Sequence, residues 1–279
     1  MSQSYQAPPM PLALSQRSHL ICLPRLAGSL ALALGLVLPL GQSARARSPA
    51  SAPSELTQLL STIERAANRG NAQQLKQLYG ARFERSGGLE RSQLVAGLSQ
   101  LHQRYEQLQY DIQLQSWQRR GRGFVTTTET HVTGKRQGEH RTFRLDARLR
   151  SRQRLADRTV TRQTILLERT ELTAGSNPPQ VRINLPATVA PGERFHFDAI
   201  ATQPLGDAVL LGSATMQAVS GQRYLQPPPL ELQPLPAGGL YKVGQAPKQT
   251  GSHWLSAVLV RQGGMTTITR RLRVVSPSQ

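Results

Sequence analysis

The chain has 279 residues and a formal net charge of +18 at pH 7, from 34 lysines and arginines against 16 acids. Cys22 is its one cysteine, which excludes an internal disulfide and a metal site built from several thiolates. The strong positive charge favours anionic partners, and the length is sufficient for two ordinary domains.

The first 46 residues are typical of a signal peptide. Residues 1–25 are basic and contain no acid, residues 26–40 form an uncharged run rich in leucine and alanine, and residues 44–46 (ARA) match the small-x-small cleavage pattern. The run of about 15 residues is shorter than the roughly 20 that span a bilayer. We therefore expect an exported protein, periplasmic or extracellular. The alternative is an uncleaved signal that anchors the chain, and the start is either Met1 or Met10.

Helical signals follow a short polar leader. Residues 47–53 lack periodicity and are predicted to be disordered. Ser54 is predicted to be the N-cap of a first helix that Gly70 ends. A short second helix is predicted over 75–79 and a third over about 94–105, because apolar residues recur there at helical spacing.

From about residue 108 the apolar period becomes two. Strands are predicted over about 108–115, 124–133, 143–150 and 158–172, and the clearest alternation lies between Phe143 and Arg150. Three helices followed by four antiparallel strands predict an α+β domain, with the helices on one face of a curved sheet.

The order of these elements carries a family resemblance. A helix leads into the turn Asn68-Arg69-Gly70-Asn71, then into the segment 75–79 (LKQLY), and the last strand holds the hydrophobic segment 164–168 (TILLE). In this order, residues 54–173 resemble the nuclear-transport-factor-2-like (NTF2-like, or SnoaL-like) superfamily, with Asn71 where the family usually has Asp. The resemblance implies a cone-shaped domain with a cavity between sheet and helices, in a superfamily that holds both enzymes and non-enzymes.

The second half of the chain has a different pattern. Residues 174–180 (AGSNPPQ) are predicted to form a linker, and about seven short strand-like runs recur over residues 181–276, which favours a β-sandwich. The segment from Leu185 to Phe195, LP-x-x-V-x-P-G-E-x-F, resembles the first hairpin of bacterial immunoglobulin-like extracellular modules. This resemblance implies an all-β immunoglobulin-like sandwich, without the cysteine pair of antibody domains.

The strand alternation predicts what lines the cone. If the apolar side chains face the helices, Asp111 and Asp146 face outward, and the cavity suits a small apolar ligand or a partner segment. The predicted lining residues are Tyr110, Ile112, Leu114, Phe143, Leu145 and Leu149. Because this geometry buries no acid–base pair, we predict no catalytic residue and no cofactor, and we expect a protein that is not an enzyme.

One further pair of residues has side chains suited to acid–base catalysis. Glu129 and His131 fall on one face of a strand and could form an acid–base pair, but their threonine and valine neighbours favour a solvated face. The histidines and acids show none of the usual metal-ligand spacings, so no metal site is predicted.

Basic residues are concentrated in the predicted sheet. Between residues 119 and 162 the chain has 13 lysines and arginines against four acids. Four of them are predicted to share one strand face, namely Arg144, Arg148, Arg150 and Arg152, with the basic residues of 119–122 and 135–136 at the turns. This basic face could attract polyanions or acidic lipid headgroups; the alternative is an ordinary solvated face of a half-buried sheet. Export and the scarcity of aromatic residues among the arginines disfavour nucleic acid.

Three functional hypotheses follow. The leading one is a non-catalytic binding or assembly module of the bacterial cell envelope, whose apolar cone holds a small molecule or a segment of an envelope protein. The second is an NTF2-like isomerase or hydrolase that uses a polar residue in the cone, which requires Asp111, Glu129 or His131 to point into the cavity. The third is electrostatic attachment to an anionic surface through the arginine-rich strands.

Overall fold

The computed structural model describes residues 46–204, 208–220 and 231–276, so residues 1–45 of the predicted signal peptide lie outside the described residues. Three α-helices are described: α1 (Ser54–Asn68), α2 (Ala72–Leu78) and α3 (Arg91–Arg104). The described strands are β1 (Tyr79–Arg85), β2 (Leu89–Glu90), β3 (Glu106–Arg120), β4 (Gly123–Gln137), β5 (Thr142–Ala156), β6 (Thr159–Gly175), β7 (Val181–Asn184), β8 (Thr188–Val189), β9 (Arg194–Ala201), β10 (Leu211–Ala218), β11 (Gln233–Pro234), β12 (Gly239–Gln245), β13 (Gly251–Arg261) and β14 (Gly264–Val274).

The helices begin where the sequence supplies caps. The side chain of Asn71 accepts a hydrogen bond from the backbone N–H three residues later, at 2.9 Å, and so caps α2. Glu90 and Gln93 form a capping box at the start of α3. For α1 the N-cap is Pro53 and not the predicted Ser54, which is the first helical residue.

The described strands form two sheets. The larger has the main order β11-β10-β13-β14-β6-β5-β4-β3, with β1 paired to β6 and β2, and β8 paired to β14. The smaller has the order β12-β9-β7. The strands from β3 to β6 are 15 to 17 residues long, because regular alternation continues beyond the predicted boundaries.

The prediction of an NTF2-like α+β cone followed by an immunoglobulin-like sandwich is wrong. Most described residues lie in strands, and β6 pairs antiparallel with β14 from Gly175↔Gly264 to Arg169↔Arg270. One sheet therefore runs through both predicted folds. Local periodicity predicts that a segment is a strand, but it does not predict which strand pairs with it. The pairing of β6 with β14 joins the strands of the two halves into one sheet. The division into domains at 174–180 stays a prediction.

Two hydrophobic cores lie on opposite faces of the large sheet. Leu145 of β5 packs in the first core with helix residues such as Leu56. Across the ladder, Leu145 aligns with Leu172, and Leu172 with Thr267, so all three share one face. Leu272 lies an odd number of residues from Thr267 and points the other way, into a second core that includes the phenylalanines of β9. We call the face that bears Leu145 the inner face and its opposite the outer face.

Helix α1 covers part of the free edge of β3. The Asn68 side chain donates to the carbonyl of Tyr110 at 2.8 Å and accepts from its N–H at 2.7 Å. One turn earlier, a Glu64 carboxylate oxygen accepts from the N–H of Ile112 at 2.7 Å. These side chains satisfy edge groups that would otherwise be available to a further strand.

The predicted leader also contacts β3. Residues 47–53, for which composition predicts disorder, contain a 3₁₀ turn at Pro49–Ser51. Arg47 exchanges two backbone hydrogen bonds with Trp117, at 2.8 and 3.2 Å, and its guanidinium lies 5.1 Å from the centre of the indole ring. Ser48 accepts a hydrogen bond from the indole N–H at 3.1 Å.

A buried ion pair lies where the two halves of the large sheet meet. One carboxylate oxygen of Glu168 on β6 accepts hydrogen bonds from Nε and Nη2 of Arg271 on β14, at 2.8 and 2.6 Å. Trp254 on β13 donates its indole N–H to the same oxygen at 3.0 Å. The side chains of Arg271 and Glu168 are 1% and 9% exposed. Three strands from both halves of the chain therefore depend on one carboxylate.

The backbones of β6 and β14 come very close at the end of this junction. Gly175 has φ of +97°, and a Cβ there would overlap the carbonyl oxygen of Gly263. A glycine is therefore needed at this position for both its backbone conformation and its lack of a side chain.

We expect Glu168→Ala to lower the free energy of unfolding by about 3–5 kcal/mol, because it leaves the Arg271 charge buried without its carboxylate. Urea denaturation of the full chain measures the loss. The matched control is Glu84→Ala, which removes an ion pair to Arg162 of similar length, 2.7 Å, but with both side chains about two-thirds exposed. This control should lose no more than about 1 kcal/mol. Equal losses in the two variants would contradict the argument from burial.

Candidate anion-binding surface

The predicted cone-lining residues lie on the inner face, and five of the six belong to the first core or pack against it. Tyr110 and Leu145 are 7% and 8% exposed and belong to the core itself. Ile112, Leu114 and Leu149 are half-buried and pack against it. Phe143 is half-buried, with the Arg136 guanidinium 4.2 Å from its ring centre. At these positions most of the side chains contribute to the packing of the core. Their role in ligand binding stays a prediction.

The two acid–base candidates lie on the outer face, where each has a charged neighbour. His131 Nε2 is 2.9 Å from a carboxylate oxygen of Asp146. Glu129 lies 3.4 Å from the guanidinium of Arg150. Asp111, opposite His131 in the ladder, is exposed. Adjacent strands thus bring these groups together on an open surface.

The inner face also holds a polar group that the sequence analysis missed. Thr126, Thr128, Ser151 and Gln153 of β4 and β5 are all buried. Thr128 and Ser151 share a hydrogen bond of 3.1 Å, and Arg85 of β1 is buried on the neighbouring part of the sheet. The phase of the alternation in residues 143–149 extends to Ser151 and Gln153 and could have revealed them.

Beside α2 and β1 lies a cleft of about 440 Å³, lined in part by Lys76, Tyr79 and Arg91. Arg91 Nη1 lies 3.5 Å from the Lys76 carbonyl and 3.4 Å from the Tyr79 carbonyl. Burial raises the pKa of the Tyr79 hydroxyl, and the charge of Arg85 opposes that shift. Because an ordinary tyrosine pKa is about 10, this hydroxyl remains protonated at neutral pH and does not act as a base there.

The middle of the outer face is electrostatically balanced. Besides the Glu129–Arg150 pair, Arg169 lies 2.8 Å from Glu171, and Arg148 lies 4.0 Å from Asp146. Two of the four predicted basic-face residues, Arg148 and Arg150, therefore have acidic neighbours. Close by, burial and the charge of Arg169 lower the pKa of Arg270.

One end of the sheet carries an excess of positive charge. The β3–β4 and β5–β6 turns lie side by side there, because β4 pairs with β5. They bring together exposed arginines that form no ion pair within 4 Å to any residue in the described ranges. We call these residues the basic patch: Arg120, Arg122, Arg152, Arg154 and Arg158. Asp157 is the acid in these turns.

The four arginines predicted to form one basic face therefore lie in different surroundings. Arg152 belongs to the basic patch, and Arg144 lies at the far end of the same strand. The sequence places Arg120 and Arg122 at a turn beside that face but does not include Arg158, because its proximity depends on the hairpin pairing and not on one strand's alternation. The basic residues in the turns before β4 and β6 were the sequence signal that could have indicated the basic patch.

In residues 46–204, 208–220 and 231–276, no group of three or more histidines, cysteines and acids is placed to hold a metal. No helix in those ranges has the length and hydrophobicity that a membrane crossing requires.

Comparisons with known proteins give little that bears on this surface. A family model described as a domain of unknown function, DUF8623, matches residues 176–275. Among solved structures the chain is similar to an LEH-like epoxide hydrolase of M. tuberculosis, at 11% identity and a TM-score of 0.29, over 40% of this chain and 82% of that one. No curated protein matches the chain. A likeness this distant assigns neither fold nor activity.

The packing of the predicted cone lining can be tested with Leu145→Ala. We expect it to lower the free energy of unfolding by about 2–5 kcal/mol, as for a leucine removed from a filled core. The control is Leu167→Ala on β6, where the leucine is 37% exposed and the expected loss is below about 1 kcal/mol. Thermal and urea denaturation of both variants measure the difference. If Leu145 lined an open cavity, its loss would be no larger than that of the control.

Proposed function

We propose that this protein is a non-catalytic binding module of the bacterial cell envelope that attaches to an anionic lipid surface through the basic patch. The observation that carries the proposal is the cluster of exposed arginines at one end of the sheet, without acidic partners among the described residues. The signal-peptide pattern of residues 1–46 supports a location outside the cytoplasm.

Charge density is the physical reason for choosing this surface. Each basic side chain close to an anionic membrane contributes about 1 kcal/mol of attraction. An arginine that already faces a carboxylate contributes less, because that carboxylate is brought towards the membrane with it. The basic patch therefore supports attachment better than the middle of the outer face does.

The other two hypotheses have weaker support. A ligand in place of the predicted cone cavity would have to displace side chains such as Leu145 that pack in the first core. Acid–base catalysis would use Glu129 or His131, whose charged neighbours lie within 3.4 Å on an exposed face. Catalysis by such groups is favoured in clefts that exclude water.

Attachment can be measured by co-sedimentation of the full chain with vesicles that contain acidic lipids. The test variant carries Arg120→Gln, Arg152→Gln and Arg154→Gln, and we expect its partition coefficient to fall about a hundredfold, at about 1 kcal/mol for each charge. The matched control removes two whole ion pairs from the balanced middle of the face, with Glu129→Gln and Arg150→Gln for one and Glu171→Gln and Arg169→Gln for the other. It leaves the net charge unchanged, and its partition coefficient should fall by less than about tenfold.

Salt provides the second criterion. Raising the ionic strength from about 0.01 M to about 0.15 M shortens the Debye length from about 30 Å to about 8 Å, so binding of the unmodified chain should fall steeply. Binding that does not change with salt would contradict the proposal, as would equal losses in the test variant and the ion-pair control, or failure to bind acidic vesicles at low salt.

A further inference from the structure

A cleft of about 590 Å³ opens at the end of the sheet opposite to the basic patch. It lies between the β4–β5 turn on one side and the β13–β14 turn on the other, beside the end of β6. Its volume is within the range of small-molecule sites. Chain segments from both halves of the protein therefore form its walls.

The charge of this cleft has one sign. Its lining includes His140 and Arg141 from the β4–β5 turn, Arg144 from the start of β5 and Arg261 from the end of β13, and no aspartate or glutamate. The hydroxyls of Thr142 and Ser176 also belong to the lining. Since a concave wall of one charge concentrates the electric field, the cleft favours an anion.

Hydrogen bonds hold parts of the cleft in place. The Arg261 guanidinium donates to the backbone and side-chain oxygens of Asn177, at 3.1 and 2.6 Å, and to the Gln203 side chain at 2.6 Å. On the other wall, Thr142 donates to the side chain of Gln137 at 2.8 Å. A site whose groups are already positioned loses less conformational entropy when a ligand binds.

This cleft is separate from the basic patch. Arg144 and Arg152 lie on the same face of β5, eight residues apart, which corresponds to about 27 Å along a strand. Two arginines of one strand therefore belong to two different sites. A substitution of Arg152 is a control for the cleft, and a substitution of Arg144 is a control for the basic patch.

We propose that the cleft binds a phosphate monoester group, through Arg141, Arg144, Arg261 and His140. Guanidinium groups form paired hydrogen bonds with phosphate oxygens. Nε and Nη2 of Arg261 already donate to Asn177 and Gln203, which leaves its Nη1 for a ligand. Together with the donors of Arg141, Arg144 and His140, this nitrogen offers more hydrogen bonds than a single carboxylate has oxygens to accept, and a dianion balances the positive charge better than a monoanion. The inference goes beyond the proposed attachment to membranes, because it concerns another site and a specific ligand group.

The test is a titration of the full chain with inorganic phosphate at low ionic strength, by isothermal calorimetry. We expect saturable binding that weakens about tenfold in Arg144→Gln, the usual effect of losing one charge-assisted hydrogen bond. Arg141→Gln, at an exposed residue of the turn, is a second variant and should weaken binding similarly. Arg152→Gln should leave phosphate binding unchanged. Absence of saturable binding, or equal weakening by Arg144→Gln and Arg152→Gln, would overturn the proposal.

The source of the phosphate is found by a second arm with vesicles that contain phosphatidic acid. Competition by inorganic phosphate, together with weaker vesicle binding by Arg144→Gln, identifies a lipid phosphate. Phosphate binding that leaves vesicle binding unaffected identifies a soluble phosphate ester. Because the patch variant with Arg120, Arg152 and Arg154 replaced retains the cleft, it should still bind inorganic phosphate. Failure of membrane attachment and failure of phosphate binding are therefore distinguishable.

Discussion

The pairing of β6 with β14, closed by the buried contact between Glu168 and Arg271, is the interaction on which the architecture depends. A charged side chain removed from water carries a desolvation penalty of several kcal/mol unless an opposite charge accompanies it. Neither Glu168 nor Arg271 is therefore stable in its observed environment without the other. Since they lie on strands about a hundred residues apart in sequence, their pairing joins the two halves of the chain into one sheet.

The continuous sheet determines where the charged surfaces lie. Pairing from β3 to β6 gathers the basic patch at one end, and the β6–β14 junction brings the turn before β14 next to the turn before β5 at the other. The cleft is built from both halves, so it exists only when the junction is formed. The cleft therefore depends on the β6–β14 junction, whereas the basic patch depends on the pairing of the strands from β3 to β6.

Local sequence patterns predicted the elements of the fold better than their arrangement. The alternation from Phe143 to Leu149 predicts β5, and the helical spacing after Ser54 predicts α1, because both depend on side-chain periodicity within one segment. The partner of β6 depends on a register between distant strands, which no local pattern contains. For that reason the sequence pattern places Glu168 in a hydrophobic strand and does not reveal its buried ion pair.

The candidate site shows the same division. The exposure of Arg144, Arg148, Arg150 and Arg152 follows from alternation along β5, and the structure places all four on the outer face. Which of them retain an unbalanced charge depends on neighbours from β4 and β6. The distinction between a balanced face, a basic patch and a phosphate cleft is therefore a property of strand pairing and not of any one segment.

The most direct test of a single sheet is native-state hydrogen exchange of the full chain. If β6 and β14 form one cooperative ladder, the hydrogen-bonded amides of residues 169–175 and 264–270 should exchange with the free energy of global unfolding, like those in the middle of β5. Exchange of these amides at a much lower free energy than that of the strands on either side would show that the two halves separate, and would contradict the account.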